Sequence, residues 1–531
     1  MLNKCTSYLS AVLLALPLVA SALDVPPTDS EDLRPLLERL SERCAPLPAS
    51  LDEHALQLLR SFYGLRDGRP AWHGQEQLQQ LQQLREQIAQ LADDGLQPRE
   101  YPLPSLAADA FAEQRGCGDL LTSHSYLQAL LHLRRGRLLQ QQLEPLWHAA
   151  ELTRPDPQRA TLSLALLHLD APIRAFIGAR PSTPEYQRLR AAYAQHRQQP
   201  PARWDALPAG PLLRPERQDP RLPALRARLL AEGYLAGMAD DPGPRFDPAT
   251  VAALQRFQAD HGLKADGLLG PASLAELNLD GQSRREQLRA NLERLRWLAD
   301  DMRSAEVLIN VAAAELLLVR QGQELWRTRT QVGRPARQTP LLASHIARLT
   351  LNPTWTIPPT ILREDKLPLI REDPTYLELN QLSVLDLDGN DLDPQSIDWD
   401  YPGAIQLRQA AGSHNPLGRV ALRFANPFSI YLHDTPSQQL FDKAPRTFSS
   451  GCVRVEAVDS LLAWLLSPEE LANVQARIAT GATEEYRLQR PAPLLIAYWT
   501  VEASDTGQLR YAPDIYGWDA RLIAALPADT R

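Results

Sequence analysis

The sequence predicts a multidomain α+β protein: a helical N-terminal scaffold, a small three-helix module, and a mainly β domain broken by one long insertion. Three observations carry that expectation. The chain has 531 residues, several times the ~100–200 of an ordinary domain. Apolar residues in its N-terminal third recur three and four apart, the helical period, whereas after residue 305 they alternate or run in short blocks, as strands do. Between these regions, residues 199–222 (PPARWDALPAGPLLRPERQDPRLP) are rich in proline and read as a linker. With 44% hydrophobic and 23% charged residues, the chain is globular rather than disordered. A net charge of -8 and the absence of a Lys/Arg block exclude a nucleic-acid partner on electrostatic grounds.

Lys4, the apolar run AVLLALPLVA and the small residues Ala20-Ser21-Ala22 read as an export signal over 1–22. The run is about half of the ~20 residues that span a bilayer; an uncleaved membrane anchor is the alternative. Export leaves Cys44, Cys117 and Cys452, an odd number for an oxidising compartment. Cys44 and Cys117 share the N-terminal region and can bridge each other, which leaves Cys452 free.

Residues 28–198 read as packed helices. QEQLQQLQQLREQIAQL, for example, places Leu78, Leu81, Leu84, Ile88 and Leu91 on one stripe. No catalytic constellation forms there, and His148 and His168 read as ordinary residues. In the module, 223–279, Asp247 caps a helix opening at Pro248, Val251, Leu254 and Phe257 face inward, Asp266-Gly267 turns, and Pro271 opens the last helix. A further helix near 282–303 leads into the β domain, 305–490. There EVLINVAAAELLLVRQGQELWRT turns at Gln321-Gly322 as a hairpin. HIARLTLNPTWTIP is another strand, RVALRFANPFSIYLHDT gives two strands joined at Asn426-Pro427, and VDSLLAWLLS is a helix. Residues 491–531 are expected to pack on this domain as a C-terminal extension. The acidic insertion, 362–412, contains DLDGNDLD, which lacks the sixth-position glycine and twelfth-position glutamate of a calcium loop. Its Leu377, Leu379, Leu385 and Trp399 need a surface to cover. The expectation is a lid over the site; a structural flap is the alternative.

The chemistry gathers in IYLHDTPSQQLFDKAPRTFSSGCVRVEAV. Strand alternation sends Phe428, Ile430 and Leu432 to a core and Ser429, Tyr431 and His433 to the other face. Cys452 follows Ser449-Ser450-Gly451 and precedes Val453-Arg454. That is a small-residue turn rather than the apolar run of a structural cysteine. Gly451, with Ser450 beside it, lets the backbone bend and brings N–H groups near the sulfur as an oxyanion hole. A neighbouring His433 imidazolium would favour the thiolate and later return the proton to a leaving amine. Arg454 offers a fork for substrate carboxylates, with a bridge to Glu456 as the alternative. Tyr431 and Trp355 are candidates to line the groove, core packing being equally good for Trp355. No His/Cys/Asp cluster has zinc spacing, and the chemistry needs no metal or organic cofactor.

His433-Asp434-Thr435-Pro436 followed by Ser449-Ser450-Gly451-Cys452-Val453-Arg454 resembles the signature of the L,D-transpeptidase, or YkuD, catalytic domain. VGRPARQTP, NPTWTIPP, HNPLGRVALRF and DIYGWD extend the likeness. The module's Phe257-Gln258, His261-Gly262-Leu263, Asp266-Gly267 and Gly270 resemble a small peptidoglycan-binding domain. The domain order is similar to the large Gram-negative branch, which implies a periplasmic enzyme with Cys452 as nucleophile and His433 as base. The third member is implied to be the backbone carbonyl of Asp434, whose side chain reads as a turn former. Many members carry His where Ser450 stands. The resemblance implies 3→3 cross-linking of peptidoglycan through a cysteine thioester, with donor tetrapeptide and acceptor stems as partners, glycan strands at the module, and acylation by carbapenems. A lipoprotein lysine or water as acceptor is the alternative within that fold. A non-catalytic peptidoglycan-binding protein is the alternative outside it.

Overall fold

The computed structural model describes residues 32–72, 77–104, 112–148, 156–236 and 244–528; the segment expected to be an export signal lies outside them. Among the described residues no helix is long and apolar enough to cross a membrane.

The N-terminal helices close around their own apolar core, including Leu59, Phe62, Tyr63, Trp72 and Tyr126. Leu81, Leu84, Ile88 and Leu91 are buried as their spacing requires. Leu78 is 64% exposed, because it is the first residue of the helix Leu78–Gln90 and precedes the packed face. Cys44 and Cys117 form a disulfide across 73 residues, the pairing expected. The module folds as three helices, Leu222–Ala231, Pro248–Asp260 and Pro271–Leu277, and Asp247 accepts from the Thr250 N–H as its cap. The Pro-rich stretch is not a free linker. Leu207 and Leu213 are buried in the module's core, and Leu213 bridges to Leu269. Apolar residues spaced between prolines are enough to pin an extended chain to a neighbour.

The β strands are β1 (Trp147–His148), β2 (Val307–Asn310), β3 (Glu315–Arg320), β4 (Gln323–Gly333), β5 (Leu341–Leu351), β6 (Trp355–Thr356), β7 (Leu382–Leu385) and β8 (Gln406–Gln409). They continue with β9 (Val420–Phe424), β10 (Leu432–His433), β11 (Thr447–Ser449), β12 (Val453–Val455), β13 (Glu484–Ala497), β14 (Val501–Ala503) and β15 (Leu509–Tyr511). The main sheet runs β5-β13-β2-β3-β4-β12-β10-β9, and β9 pairs back with β5, so the sheet closes on itself; β1 and β11 attach at β5 and β4. Closure leaves these eight strands without an open edge.

Three boundaries differ from the sequence reading. β13 crosses residue 490, so Leu494–Ala497 are central sheet residues paired with β2 and β5 rather than part of a peripheral extension. Pro491 and Pro493 suggest a break. The register shift between Arg487 and Ala492 absorbs Pro491, and Pro493 stays in register opposite His345; the N–H that proline lacks is missed only at a position that must donate. β1 comes from the scaffold yet pairs with Leu341 and Leu342, and Tyr186, Leu189 and Tyr193 of the helix Pro184–Gln198 share the core of the β domain. The insertion is a small subdomain, not a flap. β6, β8 and β7 form a three-stranded sheet over a core of Ile357, Leu362, Ile370, Val384 and Leu407. Leu377 and Trp399 pack into that core, Leu385 is buried outside it, and Leu379 is exposed.

Candidate active site

The turn Asn426–Ile430 sets up the site strand. The Asn426 side chain accepts from the N–H groups of Phe428 and Ile430, and Ser429 takes a positive φ of 54°. The strand is therefore shorter than its apolar alternation suggests, and Phe428 is exposed rather than in the core. Beyond that turn the alternation holds. β10 lies parallel to β12, with Leu432 opposite Val453 and His433 opposite Arg454. Leu432 and Val453 are fully buried in the main core. Tyr431, His433, Cys452 and Arg454 therefore share the opposite face, since neighbours along a strand alternate. Cys452 and His433 are diagonal neighbours there, and no hydrogen bond joins the sulfur to the ring among those described.

His433 is oriented by its backbone. Its Nδ1 lies 2.6 Å from the Asp434 carbonyl oxygen. A carbonyl only accepts, so Nδ1 carries the proton and Nε2 is left as the basic nitrogen. The Asp434 side chain points elsewhere. It accepts from the Arg419 N–H at 3.0 Å, and its carboxyl occupies the space a side chain on Gly418 (φ 62°) would need. Its role is to hold the turn.

Gly451 bends the Cys452 turn with φ 117°, a conformation side chains disfavour. Its N–H donates to Ser449 Oγ at 3.1 Å, and that hydroxyl donates to the Cys452 carbonyl. The Gly451 N–H is thus engaged within the turn. The Cys452 N–H has no acceptor among the described hydrogen bonds. Ser450 Oγ accepts from Arg337 at 3.1 Å, and Arg337 also binds Glu364 and Asp365 of the insertion, each at 2.6 Å. Arg334 joins Asp365 as well. The insertion is latched to the cysteine turn through arginine. Trp355 lies in the insertion's own cluster, with Lys366 above its ring, and is not among the residues gathered at Cys452.

The charge states differ from the ion pair expected. Burial, with the Arg454 charge second, lowers His433 to about 3, so the ring is neutral at pH 7. Burial pushes the Cys452 thiol up, opposed by the backbone N–H and hydroxyl of Tyr431 and by Arg423 and Arg454. The resting pair is thiol and neutral imidazole. Such a pair acts by general base catalysis at the moment of attack, not through a standing thiolate.

Arg454 does not bridge to Glu456, which overturns that alternative: Glu456 pairs with Arg329 of β4. The one side-chain partner described for Arg454 is Gln331 at 3.0 Å, and its Nε is buried without a partner. Burial lowers its pKa. Sequence reasoning missed Arg423, whose Cζ lies 4.0 Å above the Tyr431 ring. Alternation puts Arg423 on the face opposite Leu422, but only the strand register sets it beside Tyr431.

Comparison with known proteins matches residues 304–483 to the model of the L,D-transpeptidase catalytic domain (YkuD), 57–192 to a scaffold domain, and 218–277 to a "Putative peptidoglycan binding domain". A Haemophilus influenzae protein named "Putative L,D-transpeptidase" is 34% identical over 245 residues, 45% of this chain and 49% of the relative, so the match spans about half of its length. Among solved structures, an L,D-transpeptidase from Xylanimonas cellulosilytica is 15% identical with a TM-score of 0.18, covering 55% of this chain and 99% of that one. Another from Mycobacterium smegmatis is 15% identical with a TM-score of 0.17, covering 36% and 59%. Superpositions this poor have no bearing on the fold.

Proposed function

We propose that this chain, whose residues 304–483 match the L,D-transpeptidase (YkuD) catalytic domain, is an enzyme of that kind and forms 3→3 cross-links in peptidoglycan through a thioester on Cys452. His433 Nε2 takes the thiol proton as the sulfur attacks the carbonyl that follows the L-centre of meso-diaminopimelate in a donor tetrapeptide. The C–S bond forms, the C–N bond to the terminal D-Ala breaks, and His433 returns the proton to the leaving amine. The side-chain amine of a second diaminopimelate then attacks the thioester, gives its proton to His433, and the released sulfur takes it back. Arg454 binds a stem carboxylate and Tyr431 lines the groove. The Cys452 N–H serves as an oxyanion donor, with Gly451 and Ser450 shaping its turn. The protein works in the periplasm, where peptidoglycan lies, and the three-helix module engages glycan strands.

The observation that carries this reading is the shared face of Cys452, His433 and Arg454, with His433 Nδ1 fixed by the Asp434 carbonyl. The test is incubation of the purified protein with a tetrapeptide donor, or with a carbapenem, followed by intact mass and peptide mapping. An adduct on Cys452 with either reagent, and its passage to an acceptor diaminopimelate when the donor is the tetrapeptide, is the expected result. Absence of any adduct favours a binding protein, and release to water alone favours a hydrolase.

A further inference from the structure

Three arginines in one cross-strand row on the site face have no role in the mechanism above. Arg487 of β13 is directly opposite Arg348 of β5, and Arg348 is opposite Arg423 of β9. The β9–β10 register, continued one step from Leu422 and Leu432, sets Arg423 opposite Tyr431; the β10–β12 register likewise sets Tyr431 opposite Cys452. The 4.0 Å stack of Arg423 on Tyr431 agrees with that placement. On the other face, Leu349, Leu422, Leu432 and Val453 belong to the core. The row therefore reads Arg487–Arg348–Arg423–Tyr431–Cys452 across five adjacent strands. Strands are ~4.8 Å apart, so the arginines stand about 10, 14 and 19 Å from the nucleophile along the row, Arg423 nearest.

Like charges directly opposite one another destabilise a sheet, and little here offsets them. Arg423 donates to Thr350 Oγ1 at 3.0 Å, a neutral partner. Glu485 lies 3.7 Å from Arg348 and also accepts from Thr350 at 2.7 Å. Among the described residues, neither Arg423 nor Arg487 is in an ion pair. The three arginines line an open groove of about 490 Å³ with Phe424, Ala425 and Glu485.

The geometry points to a carboxylate track: Arg423, Arg348 and Arg487 receive the carboxylates of a stem peptide whose reacting group lies at Cys452. The inference rests on the transpeptidase reading and deepens it by placing the substrate's acidic groups. An extended peptide advances about 3.3 Å per residue, so the three donor residues up to the reacting carbonyl span about 10 Å and reach Arg423, while Arg348 and Arg487, farther along the same groove, meet the stem through their long side chains. Guanidinium groups bind such carboxylates in bidentate pairs. Donor and acceptor stems share this chemistry, so the two half-reactions must be read separately.

The test is the double variant Arg348→Gln/Arg487→Gln, both positions being exposed. Thermal unfolding and alkylation of Cys452 by neutral iodoacetamide report whether fold and nucleophile are intact. KM and kcat are then measured for acylation and for transfer, with stems bearing free carboxylates and with the same stems amidated. The expected result is a roughly five- to tenfold rise in KM for the acidic stem, the sum of two exposed ion pairs. kcat and the amidated stem are expected to be unchanged, so the wild-type preference for acid over amide is lost. A rise in the acylation step assigns the track to the donor, and a rise in the transfer step assigns it to the acceptor. Equal KM values for variant and wild type in both steps overturn the inference and leave the transpeptidase reading standing. A wild type that forms no thioester with either stem overturns that reading and this inference with it.

Discussion

Arg294 is buried and Arg454 is half-buried, and they differ in what faces them. Arg294 sits in the helix Gly281–Ser304, which is enclosed by the scaffold helices, the β domain and the C-terminal helix Trp518–Ala525. Its guanidinium meets Glu144 at 3.2 Å and also Asp519. Burial opposes its charge, yet Asp519 and Glu144 hold its pKa above the ordinary value. Arg296, two residues on and on the other side of the helix, is held by Glu293 and by the Asp94 carbonyl at 2.6 Å. Arg454 has one neutral amide for a partner, and burial lowers its pKa. A buried arginine ringed by carboxylates ties three domains together. A half-buried one without them keeps an unsatisfied charge, which a carboxylate-bearing substrate can satisfy.

The sharpest break in this comparison is Cys452→Ala. Thioester formation and turnover are expected to fall to background while the unfolding temperature stays near the wild-type value, because Cys452 is only partly buried at the margin of the core and alanine removes a single atom there. Turnover persisting above background would remove Cys452 as nucleophile.

Asp519→Ala inverts the pattern. It leaves Arg294 buried with one acid fewer, so a stability loss of about 3–5 kcal/mol is expected in urea or thermal unfolding, with normal Cys452 acylation in the fraction that remains folded. Wild-type stability in that variant would show that the buried pair contributes nothing net.

Arg454→Gln removes the unbalanced charge. Stability at pH 7 should not fall, KM for the donor should rise about tenfold, and the acid response should soften. His433 is neutral when folded because its pKa is about 3, against 6.5 for the free ring, with burial first and Arg454 second. Between those values the unfolded chain binds the extra proton. Its contribution is therefore complete above about pH 6.5 and is lost as pH falls toward 3, by up to about 1.4 kcal/mol per pH unit. Removing Arg454 raises the lower limit and narrows the window. Unfolding curves from pH 7 to 4 that superimpose for variant and wild type would refute the coupling.

Arg337→Ala should have the smallest effect on stability, within about 1 kcal/mol, because its carboxylate partners are largely at the surface. It unlatches the insertion from Ser450, so the ratio of thioester hydrolysis to transfer should rise a few-fold as water reaches the site. An unchanged product ratio, read by chromatography of the released peptides, would argue against the insertion as a lid.

Much of the site could be read in the chain. The helical stripe of Leu81, Leu84 and Ile88, the Asp247 cap and the Gln321-Gly322 hairpin follow from local periodicity and turn chemistry. Cys452 stood out because a thiol in a Ser-Ser-Gly turn beside arginine is unlike a core cysteine. The sequence could not give the protonation of His433, because that depends on how completely other strands enclose the ring. The use of the Gly451 N–H by Ser449, the shortening of the site strand by Asn426, and the removal of Trp355 to the insertion's core were equally hidden. Each depends on one side chain choosing among several partners within reach.

By itself the sequence determined most secondary-structure types and the residues on which the acyl-transfer reading rests, since these depend on interactions within a few residues of each position. Only the tertiary structure decided that a strand from the scaffold and another running past residue 490 enter the β domain. It also decided that the insertion has its own core, that Arg329 rather than Arg454 takes Glu456, and that three arginines from three strands line up with Cys452. Strand register couples positions more than a hundred residues apart, and the total packing of the core sets it, so no local pattern in the chain could reveal it.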